Sequence, residues 1–188
     1  MQARYHVDVA QAARVEQTVL GFLAQAQDAW QLDDPATAQL LEWSARLHEI
    51  GLDVAHSRHH LHGAYLLENA DMPGFTREEQ RLLAALVGGH RRKPALDGLA
   101  QLQPPWDRRA FCLVVLLRLA VLLHRGRGNA PLPDLQLAPR GRSLEIRFPV
   151  RWLKDHPLTV ADLRQEIELL RAVDFRLKVY SSRGVPAV

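Results

Sequence analysis

Cysteine is nearly absent from this chain. Its 188 residues include one, Cys112, which excludes a disulfide framework and leads us to expect a reducing compartment, the cytoplasm. Cys112 lies in an apolar run and reads as a buried thiol, not a nucleophile. Aromatic residues make up 6% of the chain and are not interleaved with its basic positions, so no stacking platform for single strands is expected. No standard motif for sequence-specific nucleic-acid reading occurs either. The first 30 residues contain no long apolar core of the leader type. The longest apolar run, residues 110–123, is broken by Arg118 and is too short to span a bilayer, so no transmembrane segment is expected. Nor does a glycine-rich phosphate loop follow any candidate strand.

What is present is ordinary for a globular protein: 47% hydrophobic and 24% charged residues. The net charge is +3 and the isoelectric point about 9.4. The basic residues cluster at His90, Arg91, Arg92 and Lys93, at Arg125 and Arg127, and at Arg140 and Arg142. Such clusters suit a polyanion. At the end of a helix they also complement the helix dipole, which is a purely structural reason to be there.

Apolar spacing predicts helices over residues 6–29 and from Asp33, Asp34 and Pro35 to about Ile50, with Gly51 as the stop. His48 and Glu49 would then occupy the last turn. Ser57 is the expected cap of a third helix, and Thr76 with Glu79 reads as a capping box opening a fourth that ends near His90. A short helix is expected over 96–102, and a long, nearly all-apolar helix from Asp107 to about Arg125. The segment 126–133, rich in Gly and Pro, reads as a linker. Beyond it, strands are expected at 135–137 and 144–148, continuing through 150–153, then a helix over 159–173 and a strand over 175–179, with a loose tail from Ser181. The expected fold is mainly α. An all-helical domain at 1–126 precedes a small α+β domain, strands plus one helix, at 131–181.

The densest chemistry follows the second helix. His48 and Glu49 are succeeded by His56, His59, His60 and His62. Read with His6 and His90, their order along the helices resembles the HD superfamily of metal phosphohydrolases, in which a His-Asp pair and an acid on the last core helix hold catalytic cations. This chain has Glu49 in place of the Asp, and Val121 where the superfamily has the acid. His6, His48, Glu49, His60 and His90 are therefore candidate metal ligands only. The expectation is a degenerate HD-like domain without a catalytic metal, in which His48 bonds a backbone carbonyl or Glu49, and His59 and His62 lie exposed.

A closer resemblance spans nearly the whole chain. LHEIGL at 47–52, HS at 56–57, His60, AYLL at 64–67, PGF at 73–75, GHRRK at 89–93, LLRLAVLLHR at 116–125 and IRFP at 146–149 are similar to the C-terminal half of the exopolyphosphatase and guanosine pentaphosphate phosphohydrolase family. The resemblance implies a non-catalytic module that binds the polyphosphate chain and supports a homodimer. Hydrolysis, with Mg2+, would belong to N-terminal catalytic domains absent here. The chain alone is then expected to be inactive and to need no cofactor. His90, Arg91, Arg92 and Lys93 are the first choices for holding polyphosphate or another phosphate-rich anion, with Arg58, Arg125 and Arg127 second. The alternative is an active HD-type metal-dependent phosphohydrolase acting on a nucleotide.

Overall fold

Two aspartates open the first two helices of the structure, a computed structural model whose described residues are 1–93, 98–99, 101–182 and 186. The Asp8 carboxylate accepts the Gln11 N–H at 2.9 Å at the head of α1, Val9–Trp30. The Asp34 carboxylate accepts the Ala36 N–H at 2.8 Å at the head of α2, Pro35–Leu47. Each satisfies a backbone donor that has no partner within its helix. The cap at Asp8 is why α1 starts at Val9 rather than at residue 6.

Helix α2 ends at Leu47, so His48 and Glu49 follow it and lead into a 3-10 turn, Ile50–Asp53. Gly51 does not stop α2 as a left-handed residue, contrary to expectation. A Cβ on Gly51 would stand 1.9 Å from the His59 carbonyl oxygen and 2.5 Å from the Gly63 nitrogen. Glycine is required there because α3, His59–Asn69, lies directly against this turn. The cap of α3 is also not the expected one: Arg58, at φ 56°, precedes the helix without a side-chain cap. In α4, Arg77–Gly89, the capping box is present, with Thr76 Oγ1 accepting the Glu79 N–H at 3.1 Å and Glu79 accepting the Thr76 N–H at 2.7 Å. Helix α5, Trp106–Leu123, runs through the centre.

The second part is a three-stranded sheet with order β1-β2-β3. Strands β1, Gln136–Arg140, and β2, Ser143–Phe148, form an antiparallel hairpin. Gly141, at φ +53°, makes the turn in a conformation that favours glycine. Strand β3, Arg176–Ser181, pairs parallel to β2. Parallel pairing needs a crossover, supplied by α6, Trp152–Asp155, and α7, Pro157–Arg171. The expected extension of the sheet through 150–153 is therefore wrong. Pro149 has no N–H for a ladder, Arg151 turns to φ 83°, and Trp152 stacks on Phe148 at 5.3 Å. Ser181, expected to begin the tail, instead closes β3 opposite Phe148. Residues 96, 97 and 100 of the expected short helix at 96–102, and most of the tail, fall outside the described residues.

The fold is mainly α with a small α/β part, as expected. One apolar cluster joins the two: Val15, Leu41, Leu86 and Leu116 from the helices, and Ile146, Phe148, Leu163 and Val179 from the second part. Polar contacts join them too. The Gln25 amide accepts the Leu137 N–H at 2.8 Å and donates to the Leu135 carbonyl at 3.2 Å, satisfying edge strand β1, while Trp30 Nε1–H donates to Gly141 O at 3.0 Å.

Gly51→Ala should therefore cost about 3 kcal/mol or more of stability, since backbone atoms of α3 must retreat. Gly21→Ala, in open space within α1, should be neutral or stabilising by about 0.5–1 kcal/mol. Urea titrations of the two variants compare them directly; equal effects would contradict the packing described.

Candidate anion-binding cleft

Residues at the C-terminal ends of α4 and α5, together with residues of α7, line a cleft of about 470 Å³. From α4 come His90, which caps the helix, then Arg91, Arg92 and Lys93. Arg125 and Arg127 follow α5, and α7 contributes Asp162, Gln165 and Glu166. His48, Glu49, His59 and Val121 also line the wall.

Six cations thus meet three carboxylates, and every carboxylate is already paired with an arginine. Glu166 takes Arg118 through Nε at 2.6 Å and Nη2 at 2.8 Å. Asp162 takes Arg125 in a close ion pair. Glu49 takes Arg127, whose other nitrogen reaches Asp8 at 3.0 Å. Among the described residues, Arg91, Arg92 and Lys93 have no carboxylate partner. Arg91 instead lies 3.2 Å from His59 Nδ1. Its pKa is lowered by burial and then by the like charges of Arg92 and Arg125, an environment that an anion would relieve.

Four buried histidines, His48, His59, His60 and His90, add no charge at neutral pH. His48 and His90 donate Nδ1–H to their own helix ends, to Ala45 O at 2.7 Å and Val87 O at 2.5 Å, which leaves each Nε2 as a lone pair. Their rings are 5.4 Å apart, and those of His59 and His60 lie 5.6 Å and 6.1 Å from His90. Burial is the largest cause of a lowered pKa at all four, and it lowers that of His90 well below the usual imidazole value. His59 and His60 fall to about 4, where the Arg91 guanidinium adds to the effect. His124, bonded to Thr18 Oγ1 at 2.7 Å, also falls to about 4.

The donor set does not fit a catalytic metal centre. Among the described residues, no three His, Cys, Asp or Glu side chains form a group that could hold a metal ion. Glu49 is engaged by Arg127, and Val121 lines the wall with an apolar side chain that can ligate no cation. His6 lies apart on the surface, bonded to Asp53 at 2.7 Å.

Residues 1–167 match the family described as Ppx/GppA phosphatase, domain III. The chain belongs to this family. It is 35% identical over 179 residues to a guanosine-5'-triphosphate,3'-diphosphate pyrophosphatase of Pseudoalteromonas translucida, covering 94% of this chain and 35% of the relative. Proteins of the same description from Aeromonas hydrophila and Aeromonas salmonicida are 34% and 33% identical, over 88% and 87% of this chain and 33% of each relative. The chain thus spans about a third of the length of the curated relatives it matches. No helix among the described residues is long and apolar enough to cross a membrane.

For this Ppx/GppA chain the cleft brings together most of the residues singled out from sequence: His90, Arg91, Arg92, Lys93, Arg125 and Arg127, with His48 and Glu49. Arg58 is exposed at the head of α3 and does not line it. His60 does not line it either. His59, expected on the surface, is buried beneath Arg91. Sequence reasoning missed Asp8, Asp162 and Glu166, and took Arg118 only as an interruption. Its one available signal was a lone arginine within an apolar helical run, which needs a buried acid somewhere.

Stability should follow the histidines. In the unfolded chain His59, His60 and His124 take up protons from about pH 6.5 downward; in the folded chain they do so only near 4. The stability they contribute is complete above pH 6.5 and is lost as pH falls toward 4. Thermal melts between pH 7.5 and 5, above the carboxylate range, should show Tm declining below about 6.5. A flat profile would contradict the buried, neutral imidazoles.

Proposed function

We propose that this chain is the non-catalytic C-terminal module of an exopolyphosphatase-type phosphatase, and that its cleft holds the polyphosphate chain. One observation carries the reading: the cleft retains three cations, Arg91, Arg92 and Lys93, after each of its carboxylates has been paired. Polyphosphate carries about one negative charge per phosphate, and three adjacent cations on one turn can bind successive phosphates with charge-assisted hydrogen bonds. The relatives' names specify a guanosine nucleotide bearing a phosphate chain, which belongs to the same class of ligand. Hydrolysis would lie in N-terminal domains, consistent with the third of its relatives that this chain spans. Those domains, Mg2+ within them and a homodimer of the whole protein complete the proposal.

The absence of chemistry from this cleft is supported by its charges. The Arg127 guanidinium already sets a positive charge against Glu49. The neutral imidazoles and Val121 supply no further negative ligand. A second reading, an HD-type metal phosphohydrolase acting on a nucleotide, is favoured by two buried atoms without a partner among the described residues, Glu49 Oε2 and His90 Nε2.

Binding of long-chain polyphosphate, titrated over a range of salt, tests the first reading. Arg91→Ala/Arg92→Ala/Lys93→Ala should weaken binding at least about tenfold and reduce the slope of log K against log salt by roughly two to three. Unchanged binding would favour a structural interaction domain over the first reading. Metal analysis with a nucleotide hydrolysis assay in Mn2+ tests the second; stoichiometric metal, with turnover abolished in His48→Ala, would establish it over the first.

A further inference from the structure

Arg118 is only 2% exposed, in the middle of the most apolar helix among the described residues. Burial of an arginine is tolerated only when its charge and its donors are both met. Glu166, from α7, meets the charge with two hydrogen bonds. The remaining contacts reach the cationic turn itself: Nη1–H donates to Gly89 O at 2.7 Å and Nη2–H to Arg92 O at 2.8 Å. Gly89 closes α4, and its carbonyl is among those with no partner within the helix. Arg92 stands at φ 61°, in the left-handed region that non-glycine residues adopt at a cost. One planar guanidinium therefore grips both ends of the segment from Gly89 to Arg92 and fixes its path. Four of its five N–H groups are engaged by Glu166, Gly89 and Arg92, which suits it to hold the turn in place.

Building on the proposed anion site, we infer that Arg118 and Glu166 are its positioning pair: the guanidinium shapes the turn that presents Arg91, Arg92 and Lys93, and Glu166 permits that charge to be buried. Replacing the pair separates shape from charge. Arg118→Met/Glu166→Met removes one cation and one carboxylate together, so the net charge of the cleft is unchanged. Exchanges of a buried ion pair for apolar side chains of similar volume are often neutral for stability. The single Arg118→Met variant would strand Glu166 and is not informative. Arg118→Lys keeps the charge but loses the planar fork that reaches two carbonyls and a carboxylate at once.

The experiment measures long-chain polyphosphate binding to the wild-type chain and to both variants, with circular dichroism and melting on the same samples. The double variant should remain folded, bind about tenfold more weakly and show a shallower salt slope, because its three cations no longer converge. Folded Arg118→Lys should bind at least about threefold more weakly at the same net charge. Wild-type affinity and salt slope in either folded variant overturn the inference. If Arg91→Ala/Arg92→Ala/Lys93→Ala abolishes binding while the pair exchange leaves it intact, only this inference fails. If the triple variant binds normally, the anion-site reading fails first and takes this inference with it.

Discussion

A buried guanidinium governs the arrangement of the helices around the cleft. Arg118 sits where an apolar residue would have packed without difficulty, and transferring its charge from water would be very unfavourable alone. That demand is met by a carboxylate 48 residues away in sequence, on α7, and by two carbonyls, one on the last residue of α4 and one in the turn after it. Helices α4, α5 and α7 consequently have little freedom to slide past one another at this point. The apolar cluster joining the helical part to the sheet is non-directional, so it supplies adhesion; the hydrogen bonds of Arg118 supply the register.

The cleft that results is unusual in how its charges are distributed. Arg118, Arg125 and Arg127 are matched by Glu166, Asp162 and Glu49, so half of its cations are committed internally. The four imidazoles beneath are held neutral by burial, and all but His90 also by nearby arginines. Net positive charge is left concentrated on one exposed turn after α4. Under the proposed function, such a surface would attract a polyanion and would not need the negative ligands that a hydrolytic cation requires. This fits a Ppx/GppA chain that spans about a third of its relatives.

Several elements were legible because the forces that make them are local. Asp8, Asp34 and the Thr76–Glu79 box announce helix starts through contacts only two or three residues long. Leu144, Ile146 and Phe148 alternate as a strand with one buried face must, and they are fully buried. The approach of His48, His60 and His90 to one another was anticipated from a family pattern and not from spacing alone; that of His59, expected to be exposed, was not anticipated. Local rules failed where a neighbour distant in sequence decided the outcome. Gly51 looked like a helix stop, but the close approach of α3 explains it. Residues 150–153 looked like strand, but Pro149 interrupts the ladder and Trp152 stacks against Phe148 and His156.

By itself, then, the order of residues determined the helices, the alternation of the strands, the family and the position of the cationic run after α4. Each depends on periodicity, capping or motif, which act within a few residues. Which cations are free and which are committed was decided only by the tertiary structure. Ion pairing falls away over a few ångströms of solvent-screened space, and Arg127–Glu49 and Arg118–Glu166 become neighbours only once the chain has folded. The same holds for the imidazoles, whose neutrality is a property of burial and not of histidine.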